Sequence, residues 1–344
     1  NGSFPMERGT FYTFGGYNTR DGESGCYYRR AQDNRTLRAW YPDGFLPLIS
    51  PELSDKSFAV GMKGLMGDYA YDLSLTNGSN DFAWGMTNSH NATYGTGPGQ
   101  QSEFDLGTLG YSQTTINFDL TTQREIDGFA GPVSLAMGAE IRSENYTIEA
   151  GEEAGYADGG FDVLDGPNAG AGAAVGCQCL PGLAPNNEQD RDRDALSFYV
   201  DAEADVKDGL LVNVAVRAED YSDFGNHATG KVAMRYEIQD GLAARGSIST
   251  GFRAPALQEA YFSSIATNFI DGIPYEVGTF PVDTEPAKAL GAKPLDPETS
   301  QNISMGMTYK DDTFSLAVDA YSITVDDRIT MSETFKGSGA TSDM

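Results

Sequence analysis

The sequence has 344 residues, including 41 glycines, 18 tyrosines and 18 phenylalanines, and carries a formal net charge of −27. This charge excludes nucleic acid as an expected partner, because a phosphate backbone would be repelled. Glycine and aromatic residues favour strands joined by turns. The sequence contains no run of the ~20 apolar residues that a membrane-spanning helix requires.

Apolar and polar residues alternate with a period of two along much of the chain, which predicts β-strands. In residues 132–148, for example, Leu135 and Met137 lie on one face, whereas Glu140 and Glu144 lie on the other. The eleven predicted strands are 11–18, 57–66, 69–78, 111–122, 132–148, 195–206, 210–220, 229–238, 242–251, 299–309 and 313–325. Most exceed the ~5–6 residues usual in soluble sheets and approach the ~9–11 of a tilted membrane strand.

The connections between the predicted strands alternate between short and longer ones. The short ones are 67–68, 123–131, 207–209, 239–241 and 310–312. The longer ones are 19–56, 79–110, 149–194, 221–228 and 252–298. One rim of tight turns and one rim of long loops is typical of outer-membrane barrels. We therefore predict an all-β, transmembrane, antiparallel meander with short periplasmic turns and long external loops.

The two faces of the predicted strands differ as a membrane wall requires. Charges collect on one face, which we expect to line the lumen, because a lipid-facing Arg or Lys costs ~2–4 kcal/mol at the midplane. Five aromatic residues near the short turns share the apolar face: Tyr69, Tyr71, Tyr236, Tyr309 and Phe314. We interpret them as an aromatic girdle at the membrane interface, although the preference of Tyr and Phe for strands offers a simpler explanation.

Residues 245–261 resemble the barrel region of TonB-dependent receptors, and the run 251–255, Gly-Phe-Arg-Ala-Pro, is the most specific part. Further similar stretches are 219–225, 295–302, 318–321 and 326–329. Together they cover roughly the last third of the chain, while the segment from 8 to 149 is similar more loosely.

The resemblance implies a twenty-two-stranded barrel closed by an N-terminal plug domain, in the outer membrane of a Gram-negative bacterium. It implies import of a scarce nutrient, such as a ferric siderophore, cobalamin or an oligosaccharide, driven by the TonB complex. The expected partners are outer-membrane lipid, the plug domain, TonB and a small nutrient ligand. A passive outer-membrane barrel or surface adhesin is the alternative.

The sequence departs from the family pattern in lacking a plug, a TonB-binding segment and an aromatic-ended final strand, and it has about half of the strands. The first residues, 1–5, also lack the basic and apolar regions of a signal peptide. We therefore expect 1–344 to be one partial barrel domain, an internal fragment of a longer receptor. Since eleven strands cannot close a twenty-two-stranded barrel, we expect an open, curved half-barrel sheet with two edges.

The sequence contains no Gly-x-Ser-x-Gly elbow, His-Glu-x-x-His motif or phosphate loop, so we expect a protein that is not an enzyme and has no cofactor. A soluble all-β enzyme is the third hypothesis. Arg253 and Tyr261 are the candidates for ligand binding at the external mouth. For Arg253, pairing with a lumen carboxylate or fixing the loop next to Pro255 is the favoured alternative.

The remaining polar clusters favour structural roles over metal binding. Cys177 and Cys179 lie in a Gly/Ala/Pro-rich stretch, and we interpret them as a loop pair of undetermined oxidation state. His90 and His227 are isolated, so no zinc site is expected. The alternating carboxylates of 188–194 lack the turn glycine of a calcium loop and predict a loop end entering a strand. The acidic region 149–165 predicts a solvated external loop.

Overall fold

The computed structural model describes residues 1–270 and 273–335, except for the side chains of 267–270, 273, 274 and 276. The main sheet is antiparallel and has fourteen strands, and its main path follows the order of the long strands along the chain. The strands are β1 (Gly2–Met6), β2 (Gly9–Asp21), β3 (Ser24–Gly25), β4 (Arg29–Arg30), β5 (Gly44–Phe45), β6 (Leu48–Ile49), β7 (Glu52–Met66), β8 (Tyr69–Thr87), β9 (Phe104–Arg124), β10 (Val133–Ala150), β11 (Gln189–Lys207), β12 (Leu210–Tyr221), β13 (Gly225–Gln239), β14 (Leu242–Arg253), β15 (Ser264–Ile270), β16 (Ile273–Thr279), β17 (Glu298–Lys310) and β18 (Ser315–Asp326).

The main path runs β1-β2-β7-β8-β9-β10-β11-β12-β13-β14-β17-β18. The pairs β15–β16 and β4–β5 form two small separate sheets, while β3 and β6 join the large sheet beside β8. Three short α-helices lie in the connections: α1 (Glu153–Tyr156), α2 (Leu257–Tyr261) and α3 (Glu285–Ala289). Two 3₁₀ turns cover Ala92–Tyr94 and Pro185–Asn187. Within the described ranges, every helix is too short and too polar to cross a membrane.

All eleven predicted strands are present, and the meander order is confirmed. The sequence missed β1, a five-residue strand containing Pro5, which a central strand would exclude. It also ended β8 at residue 78, directly after Asn77-Gly78, a pair of residues that hairpin turns favour. In the structure Gly78 pairs with Ser57 on one side and Gln113 on the other, so two ladders carry the strand onward to Thr87.

Several connections are therefore shorter than predicted. The external one expected at 221–228 is only 222–224, because β13 begins at Gly225, whose backbone φ of +83° suits a glycine. The four other external connections are long: 22–51, 88–103, 151–188 and 254–297. The difference between the two rims is thus confirmed in four of five places.

The sheet is a single open layer. Along the described chain, β1 pairs only with β2 and β18 only with β17, so both are edges and the predicted half-barrel is confirmed. On the apolar face Val214 and Val216 are 44% and 54% exposed, without a second protein layer over them. The membrane interpretation requires a bare apolar wall of this kind, because hydrocarbon covers the outer face of a membrane barrel. The expectation about the last residues, 342–344, falls outside the described part.

The polar face satisfies many of its own charges through contacts between neighbouring strands. The Tyr12 hydroxyl donates to Asp72 at 2.7 Å, and the Tyr12 ring crosses Gly61, where any Cβ would collide with it. Further along the wall, Arg245 on β14 donates to Asp319 on β18 at 2.8 Å. Each of these contacts passes over one intervening strand and joins the strands on either side of it. The contacts therefore hold adjacent ladders in register.

Four of the predicted girdle aromatics, Tyr69, Tyr71, Tyr236 and Tyr309, lie at the short-turn rim on the apolar face, as the strand registers show, and Phe314 lies in the short turn before β18. Tyr236 and Phe314 are exposed, whereas the Tyr71 hydroxyl donates to the carbonyl oxygen of Arg8 in the neighbouring turn. The placement agrees with an interfacial belt, in which the ring body meets lipid and a polar tip meets water.

Candidate ligand-binding mouth

Three external connections, 22–51, 88–103 and 151–188, pack together at the rim opposite the short turns, and we call them the cap. A cluster of buried apolar residues joins the cap to the outer ends of β8 and β9: Met86, Phe104, Leu106 and Cys177. A smaller cluster of Ala92, Val163 and Ala173 lies wholly within the cap. Because the wall is one layer thick, its apolar side chains remain uncovered, and much of the protein's buried core is instead found here.

A disulfide between Cys26 and Cys179 links the first and third connections of the cap. The sequence left the oxidation state of Cys177 and Cys179 open. In the structure Cys179 is oxidised, in a bond that spans 153 residues, whereas Cys177 is a free, buried thiol whose pKa is raised by burial. Sequence spacing did not reveal the pair because it does not report which connections pack on each other.

Hydrogen bonds join the second connection to the third. Ser89 Oγ donates to the carbonyl oxygen of Gln178 at 2.9 Å, and the Gln178 amide donates back to Ser89 Oγ at 2.9 Å. Asn91 Nδ2 donates to the carbonyl oxygens of Ala154 and Ala157, at 2.9 and 2.8 Å. Buried bonds of this kind stabilise a single arrangement, because an unpaired backbone group would remain if the connections separated.

His90 lies fully buried at the centre of the cap. Its ring is 5.3 Å from that of Tyr41 and 4.7 Å from that of Phe45, and Nε2 accepts the Leu37 amide proton at 3.1 Å. Because Nε2 accepts this hydrogen bond, the imidazole is neutral, and protonation of Nε2 would break the bond. Burial lowers the pKa of His90 to about 4. The sequence, in which His90 has no histidine or cysteine partner nearby, gave no sign of this packing role.

We expect the cap to loosen in acid because of His90. Its pKa is about 4 in the folded protein, against ~6.5 for an unperturbed histidine, so the unfolded cap binds the extra proton more tightly. The stability from neutral His90 is complete above about pH 6.5 and declines as the pH falls towards 4. Hydrogen exchange of the Leu37 and Ser89 amides, corrected for intrinsic rates, will therefore be faster at pH 5 than at pH 7.

Substitution His90→Gln, which keeps a neutral acceptor, will remove most of this pH dependence. The matched control is His227→Gln, which changes a histidine at the outer end of β13 and should leave the cap's pH profile as it was. The same acid loosening in His90→Gln and in the unsubstituted protein would contradict the assignment.

The acidic segments of the cap make internal contacts. Glu152 accepts hydrogen bonds from the Gln101 side chain at 2.6 Å and from the Asp105 amide at 2.9 Å. Asp165 forms an ion pair with Arg38. Residues 189–194 begin β11, which confirms the prediction of a loop end entering a strand. No cluster of three or more potential metal-ligating side chains occurs in the described part of the chain.

The start of the fourth long connection, residues 254–263, crosses the inside of the mouth, and we call it the α2 segment. Leu257, only 3% exposed, packs on Tyr146 and Ile148, which belong to the inward face of β10. Since β11, β12 and β13 separate β10 from β14 in the sheet, this segment reaches across three strands. The inward face is thus apolar near the outer rim and polar below it, a change that alternation alone did not indicate.

A buried ion pair lies beneath the α2 segment. Arg193 donates to Glu144 at 2.9 Å through Nε and lies 2.8 Å from it through Nη2. The side chains are 5% and 7% exposed. Arg193 Nη1 also donates to the carbonyl oxygen of Pro255 at 2.5 Å, which fixes the segment to the wall. Its third neighbour is Asp223, at 3.6 Å in the tight external turn.

The structure places Arg253 and Tyr261 on different sides of the mouth. Arg253 donates to Glu298 at 2.7 and 3.0 Å and to Glu259 at 3.0 Å, so it ties the α2 segment to the start of β17. This is the carboxylate pairing that the sequence analysis favoured. Tyr261 lies under Arg191 of β11, 4.6 Å from ring centre to guanidinium. Their roles in ligand binding stay predictions.

The chain matches the family described as TonB dependent receptor-like, beta-barrel, over residues 5–342. The ferric enterobactin receptor PirA of Pseudomonas aeruginosa is 22% identical over 225 residues, which are 60% of this chain and 30% of that receptor.

Solved structures of siderophore receptors share the fold. The siderophore receptor PirA from Acinetobacter baumannii has a TM-score of 0.54 at 13% identity, over 94% of this chain and 48% of that one. A variant of the ferric enterobactin receptor PfeA from Pseudomonas aeruginosa, in complex with enterobactin, has a TM-score of 0.56 at 12% identity, over 93% of this chain and 41% of that one. The chain thus spans less than half the length of these relatives.

Proposed function

Because the chain belongs to the TonB-dependent receptor β-barrel family, we propose that it forms part of the wall and mouth of an outer-membrane receptor that imports a ferric siderophore. The family match supports nutrient uptake at the outer membrane of a Gram-negative bacterium. The names of its relatives, which are siderophore or ferric enterobactin receptors, support the substrate class over cobalamin and oligosaccharides.

The observation that carries this proposal is the construction of the mouth. A folded cap with its own core, together with the α2 segment held across the inner face by Leu257 and Arg193, narrows the external opening. A passive barrel conducts through an open, water-filled lumen, whereas a receptor needs a folded external surface that recognises its ligand. We propose the cap and the α2 segment as that surface.

The polar inward face supports the proposed plug domain as a partner. Below the α2 segment the inward face is polar, and charged pairs such as Arg245–Asp319 remain about half exposed there. A domain seated in the lumen would make polar contacts with them. Energy transfer from the TonB complex through such a plug completes the proposed cycle.

Uptake by the full-length protein tests the proposal. The gene is expressed in a strain that lacks its own siderophore receptors, with and without a functional TonB, and import of radiolabelled ferric catecholate and hydroxamate chelates, cobalamin and oligosaccharides is measured. We expect import of a ferric chelate only where TonB functions. Import that does not depend on TonB would favour the passive barrel, and import of cobalamin or a glycan alone would contradict the substrate class.

A further inference from the structure

The first connection of the cap contains a local excess of positive charge. Between residues 29 and 38 lie four arginines and one carboxylate, in a chain whose net charge is −27. Those residues are Arg29, Arg30, Asp33, Arg35 and Arg38. A segment with net positive charge is unexpected in a solvated loop of an acidic protein. The contacts of the four arginines show which of them lack a carboxylate partner.

Arg29 is the least compensated of these residues. It is only 9% exposed, yet no carboxylate of the described residues lies within 4 Å of its guanidinium. Its one hydrogen bond, from Nη1 to the carbonyl oxygen of Tyr27, is 3.3 Å long, and its Nε is buried without a partner. A buried guanidinium in this condition is costly, because the water it has lost is not replaced by an acceptor.

The nearest carboxylate cannot serve Arg29, since Asp33 is already occupied. Arg35 donates to Asp33 Oδ1 at 2.8 Å and to Oδ2 at 2.7 Å, and the Arg35 amide donates to Oδ1 as well. Burial and the positive charge of Arg35 together lower the pKa of Arg29. These three residues therefore keep a net positive charge that is partly withdrawn from water.

Two neighbouring arginines add donors to the same short segment. Arg30 is exposed and makes no ion pair with the described residues. Arg38 pairs with Asp165 through Nη1, but its Nη2 is buried without a partner. Tyr27 and Tyr28 beside Arg29 are exposed, so the segment borders on solvent.

We propose that the segment 27–38 binds a small oxyanion, a carboxylate or a phosphate, with Arg29 as its principal ligand. A guanidinium presents a planar fork of donors that matches two oxygens on one centre, and an anion would supply the acceptors that Nε lacks. The inference concerns the cap alone and does not depend on which nutrient the protein imports. The same chemistry is offered by a free anion and by the phosphate of an outer-leaflet lipid.

Titration of the full-length protein in phosphate-free detergent tests this site. Inorganic phosphate and citrate are added separately, and binding is followed by calorimetry and by the shift in thermal unfolding. We expect Arg29→Met to weaken binding at least tenfold. Arg8→Met, which removes the same charge from a turn at the opposite rim, should bind as the unsubstituted protein does. Equal affinity in all three proteins, or no binding of either anion, would overturn the proposal.

A second measurement distinguishes a ligand-binding arginine from a structural one. In anion-free buffer, Arg29→Met should leave the cap as stable or make it more stable, because it replaces an unpaired buried charge by an apolar chain of similar length. A lower unfolding temperature for Arg29→Met under these conditions would show that Arg29 is needed by the fold and would overturn the proposal.

Vesicles separate the two sources of the anion. If protein reconstituted with phosphorylated lipid already shows the stabilisation that free phosphate confers in neutral lipid, the lipid headgroup is the ligand. If only added phosphate or citrate stabilises the protein, in both kinds of vesicle, the ligand is a free anion. Both results support the site, whereas stabilisation that persists in Arg29→Met contradicts it.

Discussion

Substitution of both Cys26 and Cys179 by serine will loosen the cap by about 3 kcal/mol and leave the wall unchanged. The two cysteines are 153 residues apart in sequence, but the ladders from β2 to β11 already restrain most of that span. The bond therefore restricts mainly the chain between Asp21 and Cys26 and between Cys179 and Gln189. These two stretches together form a closed loop of roughly 15 residues, for which a disulfide contributes about 3 kcal/mol.

Hydrogen exchange of the full-length protein measures this effect. The Gln178 amide donates to Ser89 Oγ, and the Leu183 amide donates to the Leu106 carbonyl oxygen of β9. Both cap amides should exchange about a hundredfold faster in the double serine variant, since each tenfold corresponds to ~1.4 kcal/mol. The internal control is the Val214 amide in the wall, whose protection should not change. Equal protection of the cap in both proteins would mean that packing alone holds it, and equal loosening of Val214 would mean that the wall depends on the bond.

Substitution Arg193→Met will destabilise the mouth by up to about 3–5 kcal/mol, because the buried Glu144 loses its hydrogen-bonded cation and keeps only Arg142, 4.0 Å away. It also removes the hydrogen bond to the Pro255 carbonyl, so the α2 segment loses its polar attachment to the wall. The Tyr111 hydroxyl, which also donates to Glu144, would then be the carboxylate's main remaining donor. Thermal unfolding of the purified full-length protein measures the loss.

A double-mutant cycle separates the ion pair from the hydrogen bond to Pro255. Adding Glu144→Gln to Arg193→Met should recover much of the stability, because no buried charge is then unpaired. The control is Arg20→Met, which removes an exposed pair with Asp55 at 3.7 Å and should cost less than about 1 kcal/mol. If Arg193→Met cost no more than Arg20→Met, the buried pair would have no structural importance.

The sequence by itself determined the wall. In β12, Val212, Val214 and Val216 alternate with Asn213, Ala215 and Arg217. This pattern is sufficient because each strand needs only its neighbours along the chain as partners. Because lipid lies on one side of the single layer and water on the other, apolar and polar side chains must alternate along each strand. The local order of residues is therefore enough to predict the wall. The tight turns also follow from local residues such as Asp208 and Gly209, since turn geometry depends on a few consecutive positions.

Only the tertiary structure decided the mouth. The Cys26–Cys179 bond, the burial of His90 between Tyr41 and Phe45, and the contact of Leu257 with β10 all join segments that lie far apart in sequence. The alternation of apolar and polar residues does not predict such contacts, because the conformation of each long connection depends on the connections packed against it. The sequence therefore shows which kinds of residue the mouth contains, but not which of them are in contact. Those contacts form because the meander brings its long connections together at one rim.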